Sequence, residues 1–441
     1  MLSSESTFYF ESFSFEPDTK ELIFTYSYDK ETRFTETILL NTPKQLEDSE
    51  AFTRALFNLH LALGISYWKA FTPKKIIVES GALTKEQAEF WNTVYTEGLG
   101  EFYYTNQIDF NGLVEFPYDE SLKVEPLEIK PFKTTLLPLG GGKDSLVSVE
   151  LLQQMGITFD TTFGKSHPIV DRQVGELKST HIKAIREVDE QLFELNEQGA
   201  QNGHIPISMI YAFTTLLIAI VQRYKYIVFS NERSANEGNT EYLGKEINHQ
   251  WSKSARFENL FRDYVHSYIS PEIEYFSLLR PLSELHIAKL FASHEKWLPL
   301  FTSCNTNFKI NDRGQNKWCG NCPKDAFVFA ILAPFVSKEK LVETFGKNMF
   351  ADTTLLDTYK ELLGTKDIKP LDCVGTPNEV RVTFAMAHDT GLFEGDATMD
   401  YFVNDVLPTI DNLEELKEEV FTPSKEHNIP EQFQSFLDDL N

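Results

Sequence analysis

Positive charge is scarce in this chain: 41 lysines and arginines face 66 aspartates and glutamates among 441 residues, a formal net charge of −25. Such a balance argues against sequence-independent nucleic-acid binding, which needs a basic face, and against attraction to anionic membranes. Any site for an anion must gather its cations locally. Cysteine is nearly absent too. Four cysteines in a chain of this length cannot form the disulfide framework of a secreted protein, which accords with a reducing compartment. No uncharged run reaches bilayer-spanning length, and Met1-Leu2-Ser3-Ser4-Glu5 lacks the basic and apolar regions of a signal peptide. A cytoplasmic protein with no nucleic-acid or membrane partner is expected. Internal repeats and low-complexity tracts are also missing. Apolar material, by contrast, is plentiful: 41% hydrophobic residues and 13% aromatics fill substantial cores, and the length suits two or three domains.

The segment Leu137-Pro138-Leu139-Gly140-Gly141-Gly142-Lys143-Asp144-Ser145 sets three consecutive glycines between an apolar stretch and an amphipathic helix. Glycines let backbone N–H groups approach an anion with no Cβ in the way. The helix adds its unpaired N-terminal N–H groups and the positive end of its dipole. The segment reads as a phosphate cradle, the bland alternative being a glycine-rich turn that closes a strand. A Walker A loop is excluded, because Asp144 stands where Ser or Thr must follow the lysine. The segment resembles instead the Ser-Gly-Gly-x-Asp-Ser pyrophosphatase loop of enzymes that split ATP between its α and β phosphates. Gly140 replaces the first serine, while Gly141, Gly142, Asp144 and Ser145 are kept. The resemblance implies ATP as ligand, with Asp144 holding Mg²⁺ on the pyrophosphate.

Residues 7 to 40 alternate at Leu22, Phe24, Tyr26 and Tyr28 and again at Phe34, Glu36, Ile38 and Leu40, with Pro17-Asp18-Thr19-Lys20 as a turn, and predict a β-meander. A helix from about Gln45 to Leu63 is expected to end at Gly64, and Thr84 with Gln87 forms a capping box after the strand Ile76-Ile77-Val78. Residues 1–130 are thus expected as an N-terminal α+β domain. From Thr134 the pattern becomes strand Thr134 to Leu139, helix Ser145 to Met155, strand Thr158 to Phe163, a long helical region, and strand Tyr226-Ile227-Val228-Phe229. That alternation predicts an α/β, parallel-sheet nucleotide-binding catalytic domain over 131–345, with ligands beyond the carboxyl ends of its strands. Gly140 to Ser145 and Ser230-Asn231-Glu232-Arg233-Ser234 both fall at such ends. The apolar run Ile205 to Val221 is short, contains polar residues and reads as a buried helix. Residues 346–441 read as an acidic helical C-terminal segment whose charges form a solvated face.

Trp318-Cys319-Gly320-Asn321-Cys322-Pro323-Lys324-Asp325, preceded by Cys304, pairs two cysteines at a spacing that clamps a tetrahedral metal, with Cys304 and Asp325 able to complete a Zn²⁺ site. The alternative is a reduced cysteine pair that packs beside the nucleotide domain. The layout resembles the zinc site of 7-cyano-7-deazaguanine synthases, Asp325 standing where their last cysteine would be. Further segments, in order after the glycine loop, are Asn202-Gly203-His204-Ile205-Pro206, Ser230-Asn231-Glu232-Arg233-Ser234-Ala235, Asn248-His249-Gln250-Trp251-Ser252-Lys253-Ser254, Arg280-Pro281-Leu282-Ser283-Glu284-Leu285 and Trp318-Cys319-Gly320-x-Cys322-Pro323-Lys324. Together they resemble the UDP-N-acetyl-α-D-muramoyl-L-alanyl-L-glutamate epimerases of bacteria, most strongly over residues 50 to 340. That resemblance implies an adenine-nucleotide hydrolase-like core and an ATP- and Mg²⁺-dependent inversion of the terminal L-glutamate of a UDP-linked muramoyl dipeptide, releasing AMP and pyrophosphate. It also implies pathway coupling to the ligase that adds L-glutamate.

Under this reading Gly140, Gly141, Gly142 and Ser145 hold the pyrophosphate, Lys143 neutralises it, and Ser230, Asn231, Glu232 and Arg233 line the adenylate side. Lys165, Arg172, Lys253, Arg256 and Arg280 are the candidate cations for the substrate's diphosphate and carboxylates. For proton transfer His204 and His249 come first, because imidazole titrates near working pH, and Cys319 second. Each histidine alone is more often structural than catalytic. Two other readings stay open: a different adenylating reaction on the same fold, forming a nitrile, an amide or a thiolated base, and a non-catalytic nucleotide-binding regulator.

Overall fold

A computed structural model of the chain describes residues 2–43, 45–164, 167–308, 318–438 and 440. Its strands are β1 (Thr7–Glu16), β2 (Glu21–Tyr28), β3 (Thr32–Asn41), β4 (Lys75–Val78), β5 (Lys133–Pro138), β6 (Phe159–Phe163), β7 (His181–Glu187), β8 (Tyr224–Phe229), β9 (Thr240–Tyr242), β10 (Lys245–Ile247) and β11 (Glu274–Ser277). Nine of them form one sheet in the order β11-β8-β5-β6-β7-β3-β2-β1-β4, and β9 and β10 form a separate hairpin. The predicted meander is present as antiparallel β1, β2 and β3, and the alternating residues Leu22, Phe24, Tyr26, Tyr28 and Phe34 are wholly buried. From β7 through β6, β5 and β8 to β11 the strands run parallel.

The two halves join where β3 pairs antiparallel with β7, Leu40 opposite Ala184 and Ile38 opposite Arg186. Buried Glu36 on β3 accepts two hydrogen bonds from Arg186, which also donates to Ser66 Oγ at 2.8 Å. The expected N-terminal unit therefore contributes strands to the same sheet as the parallel unit. Strand β7 lies in the stretch expected to be helical, and β11 carried no strand expectation. β7 has only Ile182 and Ala184 fully buried, too short an alternation to stand out from the helices Pro168–Glu176 and Glu190–Glu197 on either side.

Side chains of successive strand residues point to opposite faces, and each face has its own core. Leu136, Ile227 and Tyr275 enter one apolar cluster, while their neighbours Leu137, Val228 and Phe276 enter the other. The first cluster includes the helix Glu50–Trp68 and the apolar helix Ile207–Gln222; no helix among the described residues is long and apolar enough to cross a membrane. Helix Glu50–Trp68 continues through Gly64, where an end was expected. A Cβ there would lie 2.2 Å from Phe10 Cε1, so this glycine lets the helix approach the sheet. Helix Lys85–Glu97 has the expected capping box of Thr84 and Gln87.

The second cluster holds helices Lys143–Gln154, Glu284–Ala292, Pro323–Leu332 and Pro377–Asp389. In the C-terminal segment, helix Leu413–Phe421 shows the expected exposed acidic face. Helix Pro377–Asp389 does not, since Val380, Val382 and Phe384 are fully buried in the second cluster, where the helix packs on Pro323–Leu332, Leu413–Phe421 and Glu284–Ala292.

Candidate functional site at the sheet switch point

The parallel strands follow the order β7-β6-β5-β8-β11, so the chain moves outward in one direction after β5 and in the other after β8. Loops leaving the carboxyl ends of β5 and β8 diverge and open a crevice between them, the place where ligands bind such sheets. The glycine loop follows β5, and Ser230 to Ser234 follows β8. Gly141 adopts φ +84°, a left-handed turn natural for glycine, and Gly142 caps helix Lys143–Gln154 without a side-chain partner. The first-turn N–H groups thus remain available to an anion. The turn is anchored from outside, because Thr302 N–H (3.0 Å) and Gln173 Nε2 (2.9 Å) both donate to the Gly141 carbonyl. Ser145 Oγ accepts from Gly140 N–H and donates to the Gly142 carbonyl, each at 3.3 Å.

Behind the loop lie three carboxylates, Asp144, Glu232 and Glu284, with oxygens all within 4.8 Å of one another. The buried Lys143 ammonium pairs with both Asp144 and Glu284, and Lys324 Nζ lies 3.8 Å from Glu284. Lys253 faces Glu232, Asp144 and Glu284 from the turn Trp251–Lys253. Burial opposes the charge of Asp144, yet Lys143, Lys324 and Lys253 together hold its carboxyl below the usual carboxylate range. Burial raises the Glu284 carboxyl against the pull of Lys143. Glu379 completes the wall, accepting from Ser234 Oγ at 2.5 Å and from Glu284 N–H at 2.8 Å. An acidic chain has here gathered three lysines into one crevice. The Lys143 ammonium sits against two of the three carboxylates, and the set of three is one that could hold a metal ion.

A second group continues from Lys253. The rings of His204 and His249 lie 4.4 Å apart, and both face Glu101: His249 Nδ1 is hydrogen-bonded to it and His204 Nδ1 lies 3.8 Å away. Burial and the charge of His249 lower His204 to about 4. Burial opposes the charge of His249 as well, but Cys373 and Glu101 raise it to about 10. The two histidines are therefore a neutral ring beside a cation.

The third group joins Cys304, Cys319, Cys322 and Asp325, whose sulfurs and carboxylate oxygen lie within 4.8 Å of one another. Cys319 N–H points at Cys304 Sγ (3.4 Å), Asn321 N–H at Cys319 Sγ (3.5 Å) and Asp325 N–H at Cys322 Sγ (3.4 Å). Burial pushes the Cys319 thiol up; its hydrogen bond with Cys304, then burial, does the same for Cys322. Cys319 thus belongs to this cluster and sits apart from the two histidines. The cluster ties the strand of chain that grips Gly141 to the helix that carries Lys324.

Other predicted residues have different partners. Ser230 Oγ shares a hydrogen bond with Ser148 Oγ at 2.7 Å, and Asn231 donates to Ser277 Oγ at 3.1 Å. Arg233 donates to the carbonyls of Thr422, Glu419 and Val420, and so caps the end of helix Leu413–Phe421. Arg280, 1% exposed, is bound to Glu258 and to the carbonyls of Glu232 and Lys253. Arg256 pairs with Glu97 on the surface, Arg172 is exposed beside the Pro168 carbonyl, and Lys165 lies outside the described residues. Sequence reasoning had assigned no role to Glu284, Lys324, Glu101, Glu379 or Cys373. Glu284 and Lys324 lie in the segments 280–285 and 318–325, beside Arg280, Cys322 and Asp325, whose side chains carried the sequence signal. Glu101 and Cys373 have no local signal, because their partners His204 and His249 lie more than a hundred residues away; Glu379 shows one only as the third helical residue of the Thr376 capping box, which does not point to its contacts with Ser234 and Glu284.

No solved structure matches the chain. The family model of the MurL N-terminal domain matches residues 2–278 and that of the MurL C-terminal domain residues 300–417. A UDP-N-acetyl-α-D-muramoyl-L-alanyl-L-glutamate epimerase of Xanthomonas oryzae pv. oryzae is 37% identical over 430 residues, covering 96% of this chain and 95% of that protein. One from a Micromonospora species is 37% identical over 96% of both chains, and one from Salinispora tropica is 34% identical over 98% of this chain and 96% of its own. With both domain models in order and like-named relatives spanning nearly its whole length, the chain belongs to the MurL family of UDP-N-acetyl-α-D-muramoyl-L-alanyl-L-glutamate epimerases.

Proposed function

We propose that the protein inverts the terminal L-glutamate of UDP-N-acetylmuramoyl-L-alanyl-L-glutamate by adenylating its α-carboxyl with ATP, releasing AMP and pyrophosphate. The observation that carries this reading is the open helix N-terminus of the glycine turn set against three carboxylates and three lysines in one crevice. A Cα proton beside a carboxylate is hardly acidic, because its removal places a second negative charge against the first. Adenylation removes the first charge, and lysines and N–H donors then stabilise the enolate. A base takes the proton, return of a proton on the opposite face inverts the centre, and water cleaves the adenylate. The ligase that adds L-glutamate supplies the substrate in the cytoplasm.

Asp144, Glu232 and Glu284 would hold Mg²⁺, which when bound neutralises the pyrophosphate. Lys143 would turn from Glu284 toward the phosphates, and Lys253 would stay between the carboxylates and the second group. Cys304, Cys319, Cys322 and Asp325 fit tetrahedral Zn²⁺, and backbone N–H groups already point at three of the sulfurs. Its role would be structural, fixing the turn that grips Gly141. Elemental analysis of the purified protein should find one zinc per chain, lost in Asp325→Ala; a metal-free but folded and active protein would leave the cysteines as packing.

The function itself is tested by incubation with ATP, Mg²⁺ and the UDP-linked dipeptide in D₂O. The expected products are AMP, pyrophosphate and D-glutamate with deuterium at Cα. Consumption of ammonia or sulfur without inversion would move the protein to another adenylating reaction. ATP bound without turnover of any carboxyl substrate would make it a regulator.

A further inference from the structure

Within the proposed reaction the proton-transferring group is still to be named, and the two histidines are poor bases for it. His249 is already protonated, and burial leaves His204 with little proton affinity. Cys319 sits in the cysteine–aspartate cluster. Asp144 and Glu284 are engaged by Lys143, and Lys253 is held as a cation by the groups around it.

Cys373 lies where these groups meet. Its thiol faces His249, whose Nδ1 is bonded to Glu101. Lys253 faces both the thiol and the three carboxylates. Lys324 Nζ donates to the Cys373 carbonyl and lies 3.8 Å from Glu284, so one ammonium bridges the cysteine turn and the carboxylates. The turn is rigidly mounted. Cys373 N–H donates to Asp372 Oδ1 (2.8 Å), which Asn305 also holds (2.7 Å), and Gln250 Nε2 donates to the Val374 carbonyl (3.2 Å).

We propose that Cys373, backed by the His249–Glu101 pair, is the base that takes the Cα proton of the activated glutamate on one face. The C–H bond breaks, an S–H bond forms, and the electron pair enters the enolate of the adenylated carboxyl. A solvent-derived proton adds to the opposite face, and the thiol returns its own proton to water. Burial opposes thiolate formation, but Lys253, His249 and Lys324 outweigh it and bring Cys373 to about 7, so both forms are present at working pH. This assignment rests on the epimerase reading above.

The test uses full-length Cys373→Ala and Cys373→Ser with ATP, Mg²⁺ and the UDP-linked dipeptide. Substrate-dependent exchange of labelled pyrophosphate into ATP reads adenylation, and deuterium entry at Cα reads proton transfer. Pyrophosphate exchange is expected to persist, while Cα exchange and inversion fall at least about 10²-fold in both variants. Undiminished Cα exchange overturns the assignment, and so does parallel loss of pyrophosphate exchange in both. If the wild type exchanges its Cα proton with no pyrophosphate exchange, the adenylation reading fails, and Cys373→Ala still decides the base. A second readout is the pH midpoint of Cys373 alkylation, followed by peptide mass. It should lie near 7 in the wild type and move toward the free-thiol value of about 8.5 in His249→Asn. An unmoved midpoint removes the histidine from this role.

Discussion

Asp144→Asn is expected to lower AMP and pyrophosphate release by about 10²–10³-fold, the scale of losing one charged contact to a reacting phosphate. Asp144 supplies one of the three carboxylates clustered within 4.8 Å behind the glycine turn, and the variant leaves Glu232 and Glu284 alone against Lys143, Lys253 and Lys324. The cluster then carries excess positive charge and holds a divalent cation poorly. Half-maximal activity should therefore require more Mg²⁺ as well as being slower at saturation. The fold should survive, because Lys143 keeps its contact with buried Glu284 and helix Lys143–Gln154 still buries Leu146, Val149 and Leu152. A Mg²⁺ titration of AMP release, run beside a denaturation curve, separates the two effects. Turnover equal to wild type would take Asp144 out of the mechanism.

Arg280→Ala is expected to cost about 3–5 kcal/mol of stability, because it leaves a buried carboxylate without its partner. Arg280 and Glu258 have side chains 1% exposed, and the guanidinium meets Glu258 at 3.0 Å. The same group donates to the carbonyls of Glu232 and Lys253 at 2.7 and 2.5 Å, holding together the two loops that bear those side chains. Activity should therefore fall even where the protein remains folded. Replacing both partners, as Arg280→Met with Glu258→Leu, should restore much of the stability without restoring the loop positions. Urea unfolding and AMP release on both proteins check this. A single variant within about 1 kcal/mol of wild type would show that the pair holds nothing together.

Much of this architecture was legible along the chain. The period-two runs of β2 and β3 marked the buried face of the meander, the triple glycine marked the turn, and the strand–helix alternation marked the parallel unit. These features arise from neighbours in sequence, where backbone preference and apolar spacing act directly. The helix end expected at Gly64 failed because that glycine answers to Phe10, a strand residue more than fifty positions earlier.

The glycine-loop resemblance singled out Asp144, and residue type brought His204 and His249 forward; the structure sets Asp144 beside Glu232 and Glu284 and places the two rings together. Pairing across distance was beyond its reach. Only the folded chain decides that Arg280 faces Glu258, that Arg233 caps a C-terminal helix, and that Cys373 meets His249 and Lys253. A side chain's local code states what it can bond or ionise. Which charge lies beside it, and how much water remains, is set by segments that come together when both faces of the nine-stranded sheet are buried.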